Sequence, residues 1–253
     1  MFDKNKLIAI MSVVLLCSVF VVTALFSSCD KKREENDLQE KMDNVELKGD
    51  GNNQEKDVDY TIVIDAGHGG VDPGKVGISG QLEKDINLQI ATKLKNVLEQ
   101  NKDIAINVVL TRDSDMGHYT DSDSNKKSAD MKKRCEIVNS AGADILVSIH
   151  QNSYHSQSVK GAQVFYYEQS KGGNRLAKSI QEELVLQLVK EGKGRVEKAN
   201  DNYYMLLNVE CPAVIVECGF LSNKEEADKL SSEEYQEKVA KAIADGVISY
   251  LNQ

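Results

Sequence analysis

The sequence lacks the patterns that mark several large protein classes. Its five cysteines include no CxxC pair, which argues against a disulfide scaffold and a structural zinc ribbon. It has no excess of basic residues, since 31 Lys and Arg stand against 40 Asp and Glu for a formal net charge of -9. That balance argues against nucleic-acid binding, which relies on a basic surface. Internal repeats and collagen-like or prion-like bias are also absent, so the composition is that of an ordinary globular protein.

The longest hydrophobic run lies close to the N-terminus. Residues 7–26 carry no charge and include few polar side chains, unlike a core helix with one polar face. Twenty helical residues span about 30 Å, the thickness of the hydrocarbon core of a bilayer. We therefore expect residues 1–28 to be a signal peptide or a membrane anchor, with the downstream chain exported from the cytoplasm. The segment Phe26-Ser27-Ser28-Cys29 faintly resembles a lipoprotein box, which leaves cleavage and lipidation of Cys29 open.

The segment that follows is too polar to fold by itself. Between Asp30 and Asp59, 17 of thirty residues are charged and very few are aliphatic. Such a composition buries too little apolar surface to offset the entropy of ordering the chain. We expect residues 29–59 to be a charged, disordered linker that holds the next domain away from the membrane. An acidic arm that binds a partner is the alternative.

Residues 60–253 have the pattern of a single α/β catalytic domain. Nearly continuous β-rich apolar runs suit strands that are buried on both faces of a parallel sheet. Apolar stripes at spacings of three and four predict helices between them. The alternation predicts a mostly parallel sheet with helices on both faces. The expected strands are 62–64, 104–110, 145–149, 162–167 and 213–216, and the last expected helix is 233–251.

Polar residues at the ends of these strands are the candidates for function, because ligands bind beyond the carboxyl ends of strands in open α/β sheets. His68 and His150 follow two of the strands, Glu217 ends a third, and Glu83 opens the first helix. Catalytic zinc takes three His or Glu ligands and leaves a position for water. His68, Glu83 and His150 supply that set, with Glu217 left as a general base. Each also has a structural alternative: a hydrogen-bonded loop histidine, a first-turn acid favoured by the helix dipole, or a glutamate paired with a buried arginine.

Other motifs overlap this region. Residues 69–75 read G-x-x-x-x-G-K, the start of a phosphate-binding loop, but Val76 replaces the Ser or Thr that binds magnesium. Cys218 suggests a thiol nucleophile with a histidine base, although a small buried thiol explains it as well. The tyrosine pairs 166–167 and 203–204 suit packing on strands better than stacking on sugars.

Six segments follow one another in the order IDAGHGGVDPGKVG, LEKDINL, LTRDSD, KRCEIVNSAGADILVSIHQNS, GAQVFYY and PAVIVECGFLSN. Together they resemble a known family, the zinc-dependent N-acetylmuramoyl-L-alanine amidases of bacterial cell walls called amidase 3. The resemblance covers nearly all of residues 60–253. It implies that His68, Glu83 and His150 bind Zn²⁺ and that Glu217 is the catalytic glutamate.

Within that family the chain looks most like the germination-specific amidases of endospore formers, which have one amidase domain, a short N-terminal hydrophobic segment and no wall-binding repeats. The resemblance implies cleavage of the bond between N-acetylmuramic acid and L-alanine in spore-cortex peptidoglycan, which starts muramic δ-lactam formation. The implied location is extracytoplasmic, at the membrane or in the wall or cortex, and an activating protein partner is compatible with this subtype. A cell-separation autolysin, a zinc peptidase and a non-catalytic wall-binding protein are the alternatives.

Overall fold

The computed structural model describes residues 58–253. The hydrophobic run of residues 7–26 lies outside the described residues, as does nearly all of the charged linker. No helix between residues 58 and 253 has both the length and the hydrophobicity needed to cross a bilayer.

Six strands within residues 58–253 form one mostly parallel sheet in the order β2-β1-β3-β6-β4-β5. Strands β2, β1, β3 and β6 run parallel to each other, β4 runs antiparallel to β6, and β5 runs parallel to β4. The predicted fold class is therefore confirmed, with β4 and β5 at one side of the sheet running in the opposite direction to the other four strands. The strands are β1 (Tyr60–Ala66), β2 (Ile106–Leu110), β3 (Ile145–Asn152), β4 (Gln163–Tyr166), β5 (Lys198–Ala199) and β6 (Ala213–Phe220).

Helices cover both faces of the sheet. Alternate residues of β1 enter two different cores: Ile62 and Ile64 pack in one, and Val63 packs in the other. The first core takes α1, α3, α5 and α6, while the second takes α2 and α4. The helices are α1 (Glu83–Glu99), α2 (Lys126–Ser140), α3 (Lys171–Leu188), α4 (Tyr204–Asn208), α5 (Lys224–Leu230) and α6 (Glu233–Leu251).

Local sequence explains where the long helices begin and which side they bury. The Asn125, Ser170 and Ser232 side chains accept backbone N–H groups at the starts of α2, α3 and α6, which satisfies donors that a helix start leaves unpaired. In α1 the fully or nearly buried residues repeat every four positions, which gives the helix one apolar stripe against the sheet. These residues are Ile86, Ile90, Leu94 and Leu98.

The differences from the sequence-based expectations are confined to short elements. Strand β5 has two residues and α4 has five, which is too short to show a hydrophobic period. Tyr203 and Tyr204 were expected to lie on a strand, but they stand at the start of α4. That difference matters for function, because the Tyr203 side chain reaches Glu217 in β6 from this position.

Candidate metal centre

Three neighbouring strands deliver polar side chains to one edge of the sheet. Strands β1, β3 and β6 are adjacent and parallel, so their carboxyl ends meet. His68 follows β1, His150 lies near the end of β3, and Glu217 lies in β6 at the position paired with His150. This edge is where open α/β sheets bind ligands.

Glu83 reaches the same point from the first turn of α1, and its carboxylate is fixed from four directions. Its Oε1 lies 3.0 Å from Nδ1 of His150 and 3.3 Å from Nε2 of His68. The backbone N–H of Gln151 donates to Oε1 at 3.0 Å, and that of Lys75 donates to Oε2 at 2.7 Å. An interaction with the helix dipole does not account for these four contacts, so the structural alternative for Glu83 is insufficient.

The donor set fits a divalent metal of the zinc type. His68, Glu83 and His150 each offer one ligand atom, and those atoms lie within 4.8 Å of one another. Two imidazoles and one carboxylate match the usual catalytic zinc ligands. Both histidines are partly exposed whereas Glu83 is buried, so the triad is supported from inside the protein and open on the solvent side.

A carboxylate behind His68 completes a common arrangement around metal ligands. Oδ2 of Asp72 lies 2.9 Å from Nδ1 of His68. With the proton on Nδ1, this N–H donates a hydrogen bond to the Asp72 carboxylate, and the lone pair of Nε2 faces Glu83. Carboxylates in this position orient a ligating imidazole and increase its basicity.

Glu83 and His150 shift each other's pKa values in opposite directions. Although burial raises the pKa of Glu83, hydrogen bonds to His150 and His68 hold it well below its usual range. Burial lowers the pKa of His150, but Glu83 outweighs this effect and raises it. Metal binding needs neutral imidazole and ionised carboxylate, so a cation would replace the proton that His150 shares with Glu83.

Glu217 is a buried carboxylate with unused hydrogen-bonding capacity. Its side chain is only 7% exposed, and its Oε2 has no hydrogen-bond partner within residues 58–253. The Tyr203 hydroxyl donates to Oε1 at 3.3 Å. Burial raises the pKa of Glu217 and the charge of Glu83 adds to this, while His150 and Tyr203 oppose it. Perturbed acids of this kind, open to further bonding, are typical of general acid–base residues.

The structure decides against the competing interpretations of these motifs. Helix α1 begins at Glu83 rather than directly after Lys75, so residues 69–75 do not lead into the helix N-terminus that a phosphate-binding loop requires. Cys218 is fully buried, and burial raises the pKa of its thiol, which keeps it protonated. The buried arginines of the domain, Arg112 and Arg134, donate to other groups, so neither pairs with Glu217.

Tyr203 is the residue whose role differs most from the sequence-based interpretation. Arg112 is 3% exposed, and its guanidinium donates to backbone carbonyls, which gives it a structural role. Tyr203 was expected to pack on a strand, and its hydroxyl instead contacts Glu217. Asn152 lies at the end of β3, and its side chain accepts the N–H of Ser153.

Comparisons with known proteins agree with this site. Residues 62–249 match the Amidase_3 family model, described as N-acetylmuramoyl-L-alanine amidase. The germination-specific N-acetylmuramoyl-L-alanine amidase of Bacillus subtilis is 37% identical over 76% of this chain and 80% of its own length. The amidase LytC of the same organism is 35% identical over 76% of this chain but only 36% of its own length.

Solved structures show the same relationship. The CwlD amidase of Clostridioides difficile, solved in complex with the GerS lipoprotein, superposes with a TM-score of 0.72 at 39% identity, over 76% of this chain and 98% of that chain. The AmiC2 amidase of Nostoc punctiforme superposes with a TM-score of 0.66 at 33% identity, over 77% and 98%. The chain belongs to the Amidase_3 family of N-acetylmuramoyl-L-alanine amidases.

Proposed function

We propose that this N-acetylmuramoyl-L-alanine amidase is a zinc enzyme, that His68, Glu83 and His150 hold the metal, and that Glu217 is its general base. The bond cleaved is the amide between the lactyl group of N-acetylmuramic acid and the L-alanine of the stem peptide. The observation that carries the proposal is the meeting of three metal-type ligand atoms within 4.8 Å at the strand ends that also present the buried Glu217.

The roles of the protein groups follow from their positions. Zinc held by the triad would polarise the substrate carbonyl and lower the pKa of water to about 7. Glu217 takes a proton from the attacking water and passes it to the nitrogen of the departing L-alanine. Its unpartnered Oε2 is available for that proton. The Tyr203 hydroxyl holds Oε1 and so restrains the carboxylate in one orientation.

The spore cortex is the proposed substrate, with muramic δ-lactam formation as the process. The similarity to the germination-specific amidase of Bacillus subtilis supports this choice. The second candidate is a general cell-wall autolysin that acts in cell separation, and it is kept because LytC, an amidase with no germination role in its name, is nearly as similar at 35% identity. The shared region covers 80% of the germination-specific amidase but only 36% of LytC.

Location and partners belong to the same proposal. We propose that the domain acts outside the cytoplasm, attached through the N-terminal hydrophobic run or released after cleavage. A protein partner that activates the enzyme is supported by the relative that was solved with a lipoprotein bound. Peptidoglycan is the substrate. The net charge of -9 gives the chain no excess of positive charge with which to bind nucleic acid.

Muropeptide analysis tests the function. The purified protein is incubated with spore-cortex peptidoglycan and with vegetative cell walls, and the products are identified by mass spectrometry. We expect free stem peptides that begin with L-alanine, released faster from cortex. Equal release from both substrates would favour the autolysin, cleavage inside the stem peptide would identify a peptidase, and binding without release would identify a wall-binding protein.

Zinc content tests the ligands. His68→Ala and His150→Ala should each lose both zinc and hydrolysis, because two protein ligands do not hold the metal as three do. His155→Ala is the matched control, since this histidine is exposed and stacks on Tyr154 outside the triad. Stoichiometric zinc in the His68 and His150 variants would refute the ligand assignment.

A further inference from the structure

The loop that carries His68 has an unusual backbone. His68 adopts a φ of 63°, and within residues 58–253 it is the sole non-glycine residue with positive φ. The left-handed region is unfavourable for a residue with a Cβ, so it persists where surrounding contacts determine it. The conformation of this metal-ligand candidate therefore depends on whatever holds its loop.

Two buried guanidinium groups hold the backbone of that loop. Arg134 on α2 donates from Nη1 to the carbonyl of Ala66 at 2.7 Å and from Nη2 to the carbonyl of His68 at 2.6 Å. Arg112, just after β2, donates from Nε to the carbonyl of Ala66 at 2.8 Å and from Nη2 to that of Gly67 at 3.1 Å. Three consecutive carbonyls ending at His68 are thus fixed by charged donors.

Arg134 is itself held rigidly. Its Nη1 also donates to Asp65 at 2.7 Å, and its Nε donates to Asp130 at 2.7 Å. Asp65 accepts further hydrogen bonds from the hydroxyls of Thr111 and Ser148. The guanidinium therefore connects α2 and the centre of the sheet to the backbone of the ligand loop.

The burial of Arg134 excludes a direct role in chemistry. It is 1% exposed, and four of its five N–H groups are directed at two carboxylates and two backbone carbonyls, so the side chain is enclosed by protein and does not face a substrate. It lies on the α2 face of the sheet, opposite the face that carries Glu83 on α1. The two sides of the proposed metal centre are therefore set by helices on opposite faces.

We infer that Arg134, assisted by Arg112, is a positioning residue that sets the metal affinity by holding the backbone of His68. The inference rests on the proposed function, because it requires His68 to be a ligand. A planar guanidinium can serve several acceptors in a fixed geometry, whereas the ammonium of lysine is a single point with flexible donors. Lysine at position 134 would keep the charge and lose the fixed set of contacts.

The test compares Arg134→Lys with a control that alters the same helix without touching the loop. Val138 lies one turn further along α2, is fully buried and packs in the core that contains Val63. Val138→Ala should therefore lower the melting temperature by leaving a cavity, with the loop contacts intact. Zinc affinity is measured by competition with a chelator, and the melting temperature is measured on the metal-free proteins.

We expect Arg134→Lys to bind zinc roughly 10- to 100-fold more weakly, as is typical when groups that orient a ligand are lost. Val138→Ala should bind zinc like the wild type despite its lower melting temperature. Arg112→Lys, which removes donors to Ala66 and Gly67 and leaves Arg134 in place, should weaken binding in the same direction. It serves as the test if Arg134→Lys does not fold.

Unchanged zinc affinity in the folded arginine variants would overturn the inference, as would an equal loss of affinity in Val138→Ala. A wild-type protein that binds no zinc would overturn the inference together with the metal centre on which it rests. The wild-type measurement therefore separates failure of the positioning role from failure of the proposed function.

Discussion

His150 on β3 and Glu217 on β6 occupy paired positions on two neighbouring parallel strands. Because side chains at paired positions of a parallel sheet leave the same face, this pairing places a metal-ligand candidate beside the proposed base. The charge of His150 lowers the pKa of Glu217, against the larger opposing effect of burial. Both residues lie within strands rather than in loops, so the sheet itself sets the separation of the His150 and Glu217 side chains.

Gly67→Ala tests whether the position of the His150 ring matters for the metal. A Cβ at Gly67 would lie 2.3 Å from Cε1 and Nε2 of His150, which is far inside van der Waals contact, so the ring must move. We expect zinc affinity to fall at least about tenfold, as for other disturbed ligand environments. Gly219→Ala on β6 is the control, since its nearest contact would be a Leu230 methyl at 3.1 Å. Wild-type zinc affinity in Gly67→Ala would contradict a ligand role for His150.

Tyr203→Phe tests the restraint on Glu217. The variant removes the hydroxyl that donates to Oε1 and keeps the ring that packs edge-on against Phe165. Losing a hydrogen bond to a charged group costs about 1.5 kcal/mol, which corresponds to roughly a tenfold lower kcat. KM and the melting temperature should change little. Tyr204→Phe at the adjacent, exposed position is the control, and an equal effect of both variants would exclude a specific role for Tyr203.

Asp65→Asn tests the buried ion pair beneath the His68 loop through its pH dependence. Burial raises the pKa of Asp65, but Arg134, Ser148 and Thr111 together hold it well below the ordinary value of 3.8. A carboxyl whose pKa is lowered on folding adds stability above its unfolded pKa, and this stability is lost as the pH falls through its folded-state pKa.

The variant should therefore be least stable relative to the wild type at neutral pH, by about 3 kcal/mol, because it removes one of the two carboxylates that pair with the buried Arg134. The difference in melting temperature should narrow as the pH falls below about 4. Both metal-free proteins retain Glu83, so its titration cancels in the comparison. A difference in melting temperature between the two proteins that stays constant from neutral to acidic pH would show that the Asp65 charge does not stabilise the fold.

Two truncations test where the domain begins. Apolar periodicity starts at Thr61, but Asp59 already pairs with Ala105, accepting its N–H at 2.7 Å and donating to its carbonyl at 2.8 Å. Residues 58–253 and residues 60–253 should both give soluble enzymes that unfold cooperatively. The fragment 60–253 should be less stable by about 1–2 kcal/mol, because it lacks the two hydrogen bonds of Asp59 and each contributes about 1 kcal/mol to stability. An insoluble or non-cooperative product from the longer fragment would place the boundary elsewhere.

The sequence was sufficient for the fold class, the family and the grouping of candidate ligands. Continuous apolar runs identified the buried strands, and parallel strands bring their carboxyl ends together whatever the loops do. The direction of β4 was not predictable, because a run of four residues looks the same in sequence whether the strand runs parallel or antiparallel to β6. Tyr203 was missed because the five-residue α4 is too short to show a period.

Arg134 was missed although a signal was present. Asp130, Arg134 and Val138 recur at a spacing of four, so all three lie on the buried side of α2. The neighbouring Lys132 and Lys133 are exposed, and the basic run reads as a solvated helix face. Only the partners of Arg134, which come from β1 and the loop after it, explain why a charge is buried there.

Glu217→Gln is the most direct test of the account. The substitution keeps the size of the side chain and can keep a hydrogen bond with Tyr203, but an amide does not accept the proton of the attacking water. On one preparation of this variant, zinc content, melting temperature and the rate of muropeptide release are measured together. We expect full zinc, a melting temperature close to that of the wild type and a rate lower by roughly 10²–10⁴-fold, as for loss of a general base. Full zinc with a nearly unchanged rate would contradict the central claim.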